Sequence, residues 1–109
     1  MEELGLFDSI VEEIRQRAGE RPVRKVRVRV GRLRHVEAQE FERSFHLAAA
    51  GTVADGAKAE LLLLPVLSRC RACGFLQASE EIPVVCPECH SIDVELTGGD
   101  ELVLELIEY

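Results

Sequence analysis

All four cysteines of the chain fall in one stretch. Cys70-Arg71-Ala72-Cys73 and Cys86-Pro87-Glu88-Cys89 are two Cys-x-x-Cys pairs with 12 residues between them. Two intervening residues let one tight turn aim both sulfurs at a single point. Two such turns facing each other supply four thiolates in a tetrahedron, the geometry Zn²⁺ accepts most readily. Gly74 follows the first pair, where positive φ is often required, and Pro87 pre-sets φ inside the second. The expectation is one zinc on Cys70, Cys73, Cys86 and Cys89. Other chemistries use the same residues. A pair of disulfides needs an oxidising compartment, and no stretch reads as a signal peptide. A redox Cys-x-x-Cys needs only one pair, at a helix N-terminus. Iron fits the same sulfur cage, but nothing else in the sequence points to electron transfer.

The elements that must position these thiolates come from a chain of 109 residues with 47% hydrophobic content. That length implies one domain, or one small domain with a metal-stapled subdomain. The longest apolar run, Leu61 to Leu64, is far too short to span a membrane, and a cytoplasmic protein is expected. The net charge of -7 argues against a general nucleic-acid binder. The charge is unevenly spread, with Arg21, Arg24, Lys25, Arg27, Arg29, Arg32 and Arg34 uninterrupted by any acid.

Residues 2–18 predict an amphipathic helix. Leu4, Phe7, Val11, Ile14 and Ala18 form one stripe, widened by Leu6 and Ile10, and the helix stops before Gly19 and Pro22. From Val23 to Val30 the pattern changes to period two. Val26, Val28 and Val30 point one way and Lys25, Arg27 and Arg29 the other, a half-buried strand whose basic face is solvated or paired with carboxylates. Residues 36–50 predict a second helix with Ala38, Phe41, Phe45 and Ala48 on one face. Residues 57–67 predict a second strand whose unbroken leucine run suggests cover on both faces, with Pro65 marking an edge, a bulge or an early end. The segment from Phe75 to Val85 predicts short hairpins, and Val94 to Leu96 a segment that pairs with the cysteine unit. Leu102 to Glu108 predicts the last strand, with Leu102, Leu104 and Leu106 inward and Glu101 and Glu105 toward the basic face of the first.

The fold expected is therefore α+β: a small mixed three-stranded sheet with two helices on one face and an inserted zinc-ribbon-like subdomain, in the order α-β-α-β-metal unit-β. Its divisions fall at residues 1–67 with 98–109, and at 68–97.

Several pieces together resemble the HypA/HybF family of hydrogenase-maturation nickel metallochaperones. They are Met1-Glu2-Glu3-Leu4-Gly5-Leu6 with Ser9-Ile10, the Val26 to Leu33 strand and turn, and Glu40-Phe41 through Phe45. Ala57 to Leu61, the two cysteine pairs, Val94 and Gly99-Asp100-Glu101-Leu102 complete the match. The resemblance covers essentially the whole chain. It implies a structural zinc on the four cysteines and transient nickel at the amino-terminal end, on Met1, Glu2 and Glu3. It also implies a HypB-type GTPase and a hydrogenase large-subunit precursor as partners, with urease accessory proteins in some organisms, for a monomer or weak dimer. In the family a histidine at the second position helps to hold nickel; here that position is Glu2. A carboxylate is a harder donor than imidazole, so weaker nickel binding is expected. His46 and His90 are candidate helpers, with His35 behind them, and His90 directly follows Cys89.

Three functions follow. The first is nickel delivery by a protein that is not an enzyme, since no nucleophile arrangement and no glycine-rich phosphate loop is visible. The second is a zinc-stabilised interaction adaptor that has lost nickel through Glu2. The third, a zinc-ribbon nucleic-acid binder, rests on Arg69 and Arg71 and on the basic first strand.

Overall fold

A computed structural model describes residues 2–109, and side chains from Phe7 onward. The order is α1 (Glu2–Ala18), β1 (Lys25–Gly31), a 3₁₀ turn (Arg32–Arg34), α2 (Ala38–Ala49), β2 (Lys58–Leu64), β3 (Val66–Cys70), β4 (Leu76–Ser79), β5 (Val94–Gly98) and β6 (Leu102–Glu108). Two three-stranded sheets form, in the orders β2-β1-β6 and β4-β3-β5. The chain divides into two compact units. One comprises Met1–Arg29, Val36–Leu62 and Val103–Tyr109; the other comprises Val30–His35 and Leu63–Leu102.

The first unit is built on apolar periodicity. Phe7, Ile10, Val11, Ile14 and Ala18 of α1 are buried, as the helical stripe requires; Leu4 and Leu6 lie outside the described side chains. On α2 the buried residues are Phe41, Phe45 and Ala49. Ala38, expected inward, is exposed because it opens the helix. The Phe7 and Phe41 rings meet edge to face at 5.4 Å, locking α1 to α2. Val26 and Val28 are fully buried, while Lys25, Arg27 and Arg29 alternate with them on the other face.

That basic face is neutralised by carboxylates. Lys25 pairs with Glu60 at 3.2 Å, and Arg27 with Glu60 at 3.1 Å and Glu105 at 3.4 Å. Arg29 reaches Glu105 at 3.5 Å. Glu105 thus faces the first strand as expected. Glu101 does not: its carboxylate accepts the Gly99 N–H at 3.0 Å. Of the leucines expected inward on β6, Leu104 is buried, whereas Leu102 and Leu106 are half-buried.

The expectation of one strand over 57–67 is corrected. Pro65 carries no N–H and fixes φ, so β2 ends at Leu64 and Val66 opens β3 in the other sheet. Nor is the leucine run covered on both faces. β2 is an edge strand, leaving Leu61, Leu63 and Leu64 half-buried and Leu62 exposed.

In the second unit, β3 is the central strand, antiparallel to both neighbours. Val66, Ser68 and Cys70 are buried on one face, and Leu67 and Arg69 are exposed on the other. Residues Val30–His35 belong to this unit. The Gly31 N–H donates to the Glu101 carbonyl at 2.8 Å and the Leu33 N–H to the Gly99 carbonyl at 2.8 Å. A Cβ on Gly31 would collide with the Gly99 carbonyl, so this crossing requires glycine.

Candidate metal centre

Each cysteine pair sits in a turn closed by the same two backbone hydrogen bonds. In the first turn the Gly74 N–H donates to the Cys70 carbonyl at 2.8 Å, and the Cys70 N–H to the Phe75 carbonyl at 2.9 Å. In the second the His90 N–H donates to the Cys86 carbonyl at 2.9 Å, and the Cys86 N–H to the Ser91 carbonyl at 2.8 Å. Backbone N–H groups also point at sulfur, from Cys73 to the Cys70 Sγ and from Glu88 to the Cys86 Sγ, both at 3.4 Å. The first cysteine of each pair is buried and the second is exposed.

The two turns bring all four Sγ atoms within 4.8 Å of one another. Cys70 Sγ lies 3.6 Å from Cys89 Sγ, and Cys73 Sγ lies 3.6 Å from Cys86 Sγ. A tetrahedral ion with sulfur at about 2.3 Å requires sulfur–sulfur edges of about 3.8 Å. The donor set therefore fits zinc in number, type and spacing, and the cluster is suited to a structural zinc.

The acid–base chemistry of the sulfurs agrees. The Cys73 N–H stabilises the Cys70 thiolate and lowers that thiol to about 7. The Phe75 N–H acts on Cys73 in the same direction. Desolvation and the Cys86, Cys89 and Cys70 sulfurs outweigh it and push Cys73 up to about 12. Cys89 is also raised: the Ser91 N–H favours its thiolate, and desolvation with the Cys70 sulfur overrides it. Four anionic sulfurs at these separations repel one another, and a divalent cation is what allows all four to ionise.

An ion-paired ladder braces the outer face next to the first turn. Arg69 pairs with Glu95, and Arg71 with Glu95 at 3.0 Å and Asp93 at 3.1 Å. These are the arginines that motivated a nucleic-acid reading, and acids within the unit engage both. Sequence reasoning missed the ladder because its partners are 22 to 26 residues apart. It also missed a parallel legible in the motif: His90 follows Cys89 as Gly74 follows Cys73, and both have positive φ, 64° and 81°. His90 is exposed, with its backbone doing in the second turn what glycine does in the first.

The structure places His46 exposed in the last turn of α2, its ring 6.2 Å from that of Phe45, and His35 exposed after the 3₁₀ turn with φ of 54°. It does not bring either histidine to the four-sulfur cluster. Met1 and the side chains of Glu2 and Glu3, the nickel candidates, lie outside the described residues. No helix among the described residues is long and apolar enough to cross a membrane.

Comparison with known proteins agrees with this geometry. Residues 1–109 match the family model described as hydrogenase/urease nickel incorporation, metallochaperone, hypA. The hydrogenase maturation factor HypA of Desulfitobacterium hafniense (strain DSM 10664 / DCB-2) is 34% identical over 116 residues, spanning 99% of this chain and 97% of the relative. That of Trichodesmium erythraeum (strain IMS101) is 30% identical over 108 residues, spanning 99% and 95%. The solution structure of the nickel metallochaperone HypA from Helicobacter pylori superposes with a TM-score of 0.62 at 21% identity, covering 96% of this chain and 92% of that one. That likeness supports the α+β fold. With a family model matched over its whole length, the chain belongs to the HypA family of hydrogenase and urease nickel-incorporation metallochaperones.

Proposed function

We propose that this chain is a nickel-delivery protein, not an enzyme, acting in assembly of a nickel enzyme of the hydrogenase or urease type. The observation that carries this reading is the family match over residues 1–109 combined with an intact four-cysteine cluster. In this reading Cys70, Cys73, Cys86 and Cys89 bind a zinc that stays in place and organises a zinc-binding subdomain spanning residues 68–97. Residues 1–67 with 98–109 form the nickel-handling domain. Nickel is cargo, taken up by Met1, Glu2 and Glu3 and passed to the hydrogenase large-subunit precursor with a HypB-type GTPase, or to urease accessory proteins. The setting is cytoplasmic.

Glu2 sets the affinity. A carboxylate holds Ni²⁺ less tightly than an imidazole, so the cargo is released readily. The whole-chain match supports delivery over an adaptor that has lost nickel. Calorimetric titration of the zinc-loaded chain with Ni²⁺ tests the reading. One saturable site is expected, lost on Glu2→Ala with Glu3→Ala and tightened at least about tenfold by Glu2→His. Titration heats identical to those of a chain lacking residues 1–3 would overturn it.

A further inference from the structure

The second unit carries a surface that neither zinc nor nickel binding uses. β4 is an edge strand of the sheet β4-β3-β5 and leaves one row of backbone N–H and C=O groups unpaired by any strand. Natural edges are usually protected by charge, proline or a bulge. The other edge, β5, has such devices: Glu95 within the arginine ladder, and a register shift opposite Leu67 and Ser68. β4, Leu76-Gln77-Ala78-Ser79, carries no charge, proline or bulge, and is protected by its four-residue length instead.

Clefts flank β4 on both faces. On the face shared with Leu67, Leu76, Ala78 and Thr97 line an apolar cleft of about 400 Å³. Leu76 is 70% exposed there, a large apolar side chain without cover. On the other face Gln77, Glu80, Glu81, Ile82 and Val84 line a cleft of about 610 Å³ that joins two carboxylates to apolar side chains. Among described residues Glu80 has one ion pair, to Arg32 at 3.8 Å, and Glu81 has none. Residues 72–109 contain nine acids and no lysine or arginine, and Arg32, Arg69 and Arg71 of the same unit are each paired with one of those acids. An S₄ zinc site would add two further negative charges.

We infer that β4 is a docking edge for an extended segment of a partner protein that alternates basic and apolar residues. Added as a strand, such a segment forms backbone hydrogen bonds along β4, and its side chains point alternately to the two faces. The apolar set lies on Leu67, Leu76 and Ala78, and the basic set lies against Glu80 and Glu81. Nucleic acid and anionic membrane are repelled by the same acids. A second copy adding β4 to β4 would bring acidic loops toward each other. The inference does not depend on nickel.

The test uses the full zinc-loaded chain and fluorescein-labelled heptapeptides read by anisotropy. A peptide alternating lysine and valine is expected to bind saturably, with amide exchange slowed at Leu76 and Ala78. Replacing lysine by glutamate, or N-methylating alternate peptide nitrogens, is expected to weaken binding by about tenfold or more. Glu80→Gln with Glu81→Gln, both exposed, is expected to weaken it several-fold without loss of zinc. No saturable binding below about 1 mM would overturn the inference. So would equal binding of the lysine and glutamate peptides, binding undiminished by N-methylation, or a sedimentation-detected dimer through β4 in place of peptide binding.

Discussion

The two units solve the problem of a small core in opposite ways. The first buries aromatic and branched side chains from both helices and the sheet: Phe7, Ile14, Val26, Val28, Phe41 and Phe45 are nearly or wholly inaccessible. In the second, the buried apolar residues among those described are Val30, Val66, Cys70 and Cys86, so half of them are metal-ligand candidates. Several of its larger apolar side chains are exposed; Leu76, Val84 and Ile92 are 70%, 81% and 82% exposed. One unit is held by apolar burial. The other keeps few side chains inside to offset chain entropy, and it carries the four-cysteine cluster suited to a structural zinc.

The comparison breaks most visibly at a ligand. Cys86→Ser is expected to abolish zinc retention and strand order in residues 66–98. Structural zinc contributes about 10–16 kcal/mol of apparent binding energy in small peptides, more than a domain of this size has to spare. Zinc content and limited proteolysis check this; full zinc with unchanged protease resistance would refute it. The matching lesion in the first unit is Phe41→Ala. Removing that buried ring is expected to cost about 3–5 kcal/mol in urea unfolding while zinc stoichiometry stays at one.

Much of this contrast was legible in the sequence. Period 3.6 in α1 and period two in β1 report burial directly, because each repeat places like residues on one face. The Cys-x-x-Cys spacing reports the metal unit because a two-residue gap dictates a turn. What was not legible depends on pairing across distance. Pro65 points to an edge among its alternatives, but the unbroken run Leu61–Leu64 argues for cover on both faces, and nothing near Gly31 says that Gly99 passes against it. Pro65 gave a sign of a break, but the choice of an early end over a bulge was made by β3 joining another sheet.

Within the metal unit the two turns can be set against each other. Gly74 and His90 share positive φ, which costs a residue with a Cβ about 1–2 kcal/mol. Gly74→Ala is expected to destabilise the unit and His90→Gly to stabilise it, each by about 1 kcal/mol, read by thermal unfolding of the zinc-loaded protein. Shifts of the same sign would break the equivalence of the turns.

The smallest effects come from the surface ion pairs. Lys25 and Arg27 hold the Glu60 carboxyl below its ordinary range, and Arg69 and Arg71 do the same to Glu95. Folded values below the unfolded value of 4.5 mean stability that is present above pH 4.5 and lost as pH falls through the folded values. Glu60→Gln is expected to lower stability slightly at pH 7, with the difference from the parent protein closing below pH 4.5. A constant difference across that range, measured by urea titration, would assign the effect to packing instead.

Amide hydrogen exchange of the zinc-loaded chain, before and after removal of the metal by a chelator at neutral pH, tests the division most directly. The account expects residues 66–98 to lose protection while Phe7–Ala18, Val26–Val28 and Phe41–Ala49 keep theirs. Loss of protection in both units together, or in neither, would contradict it.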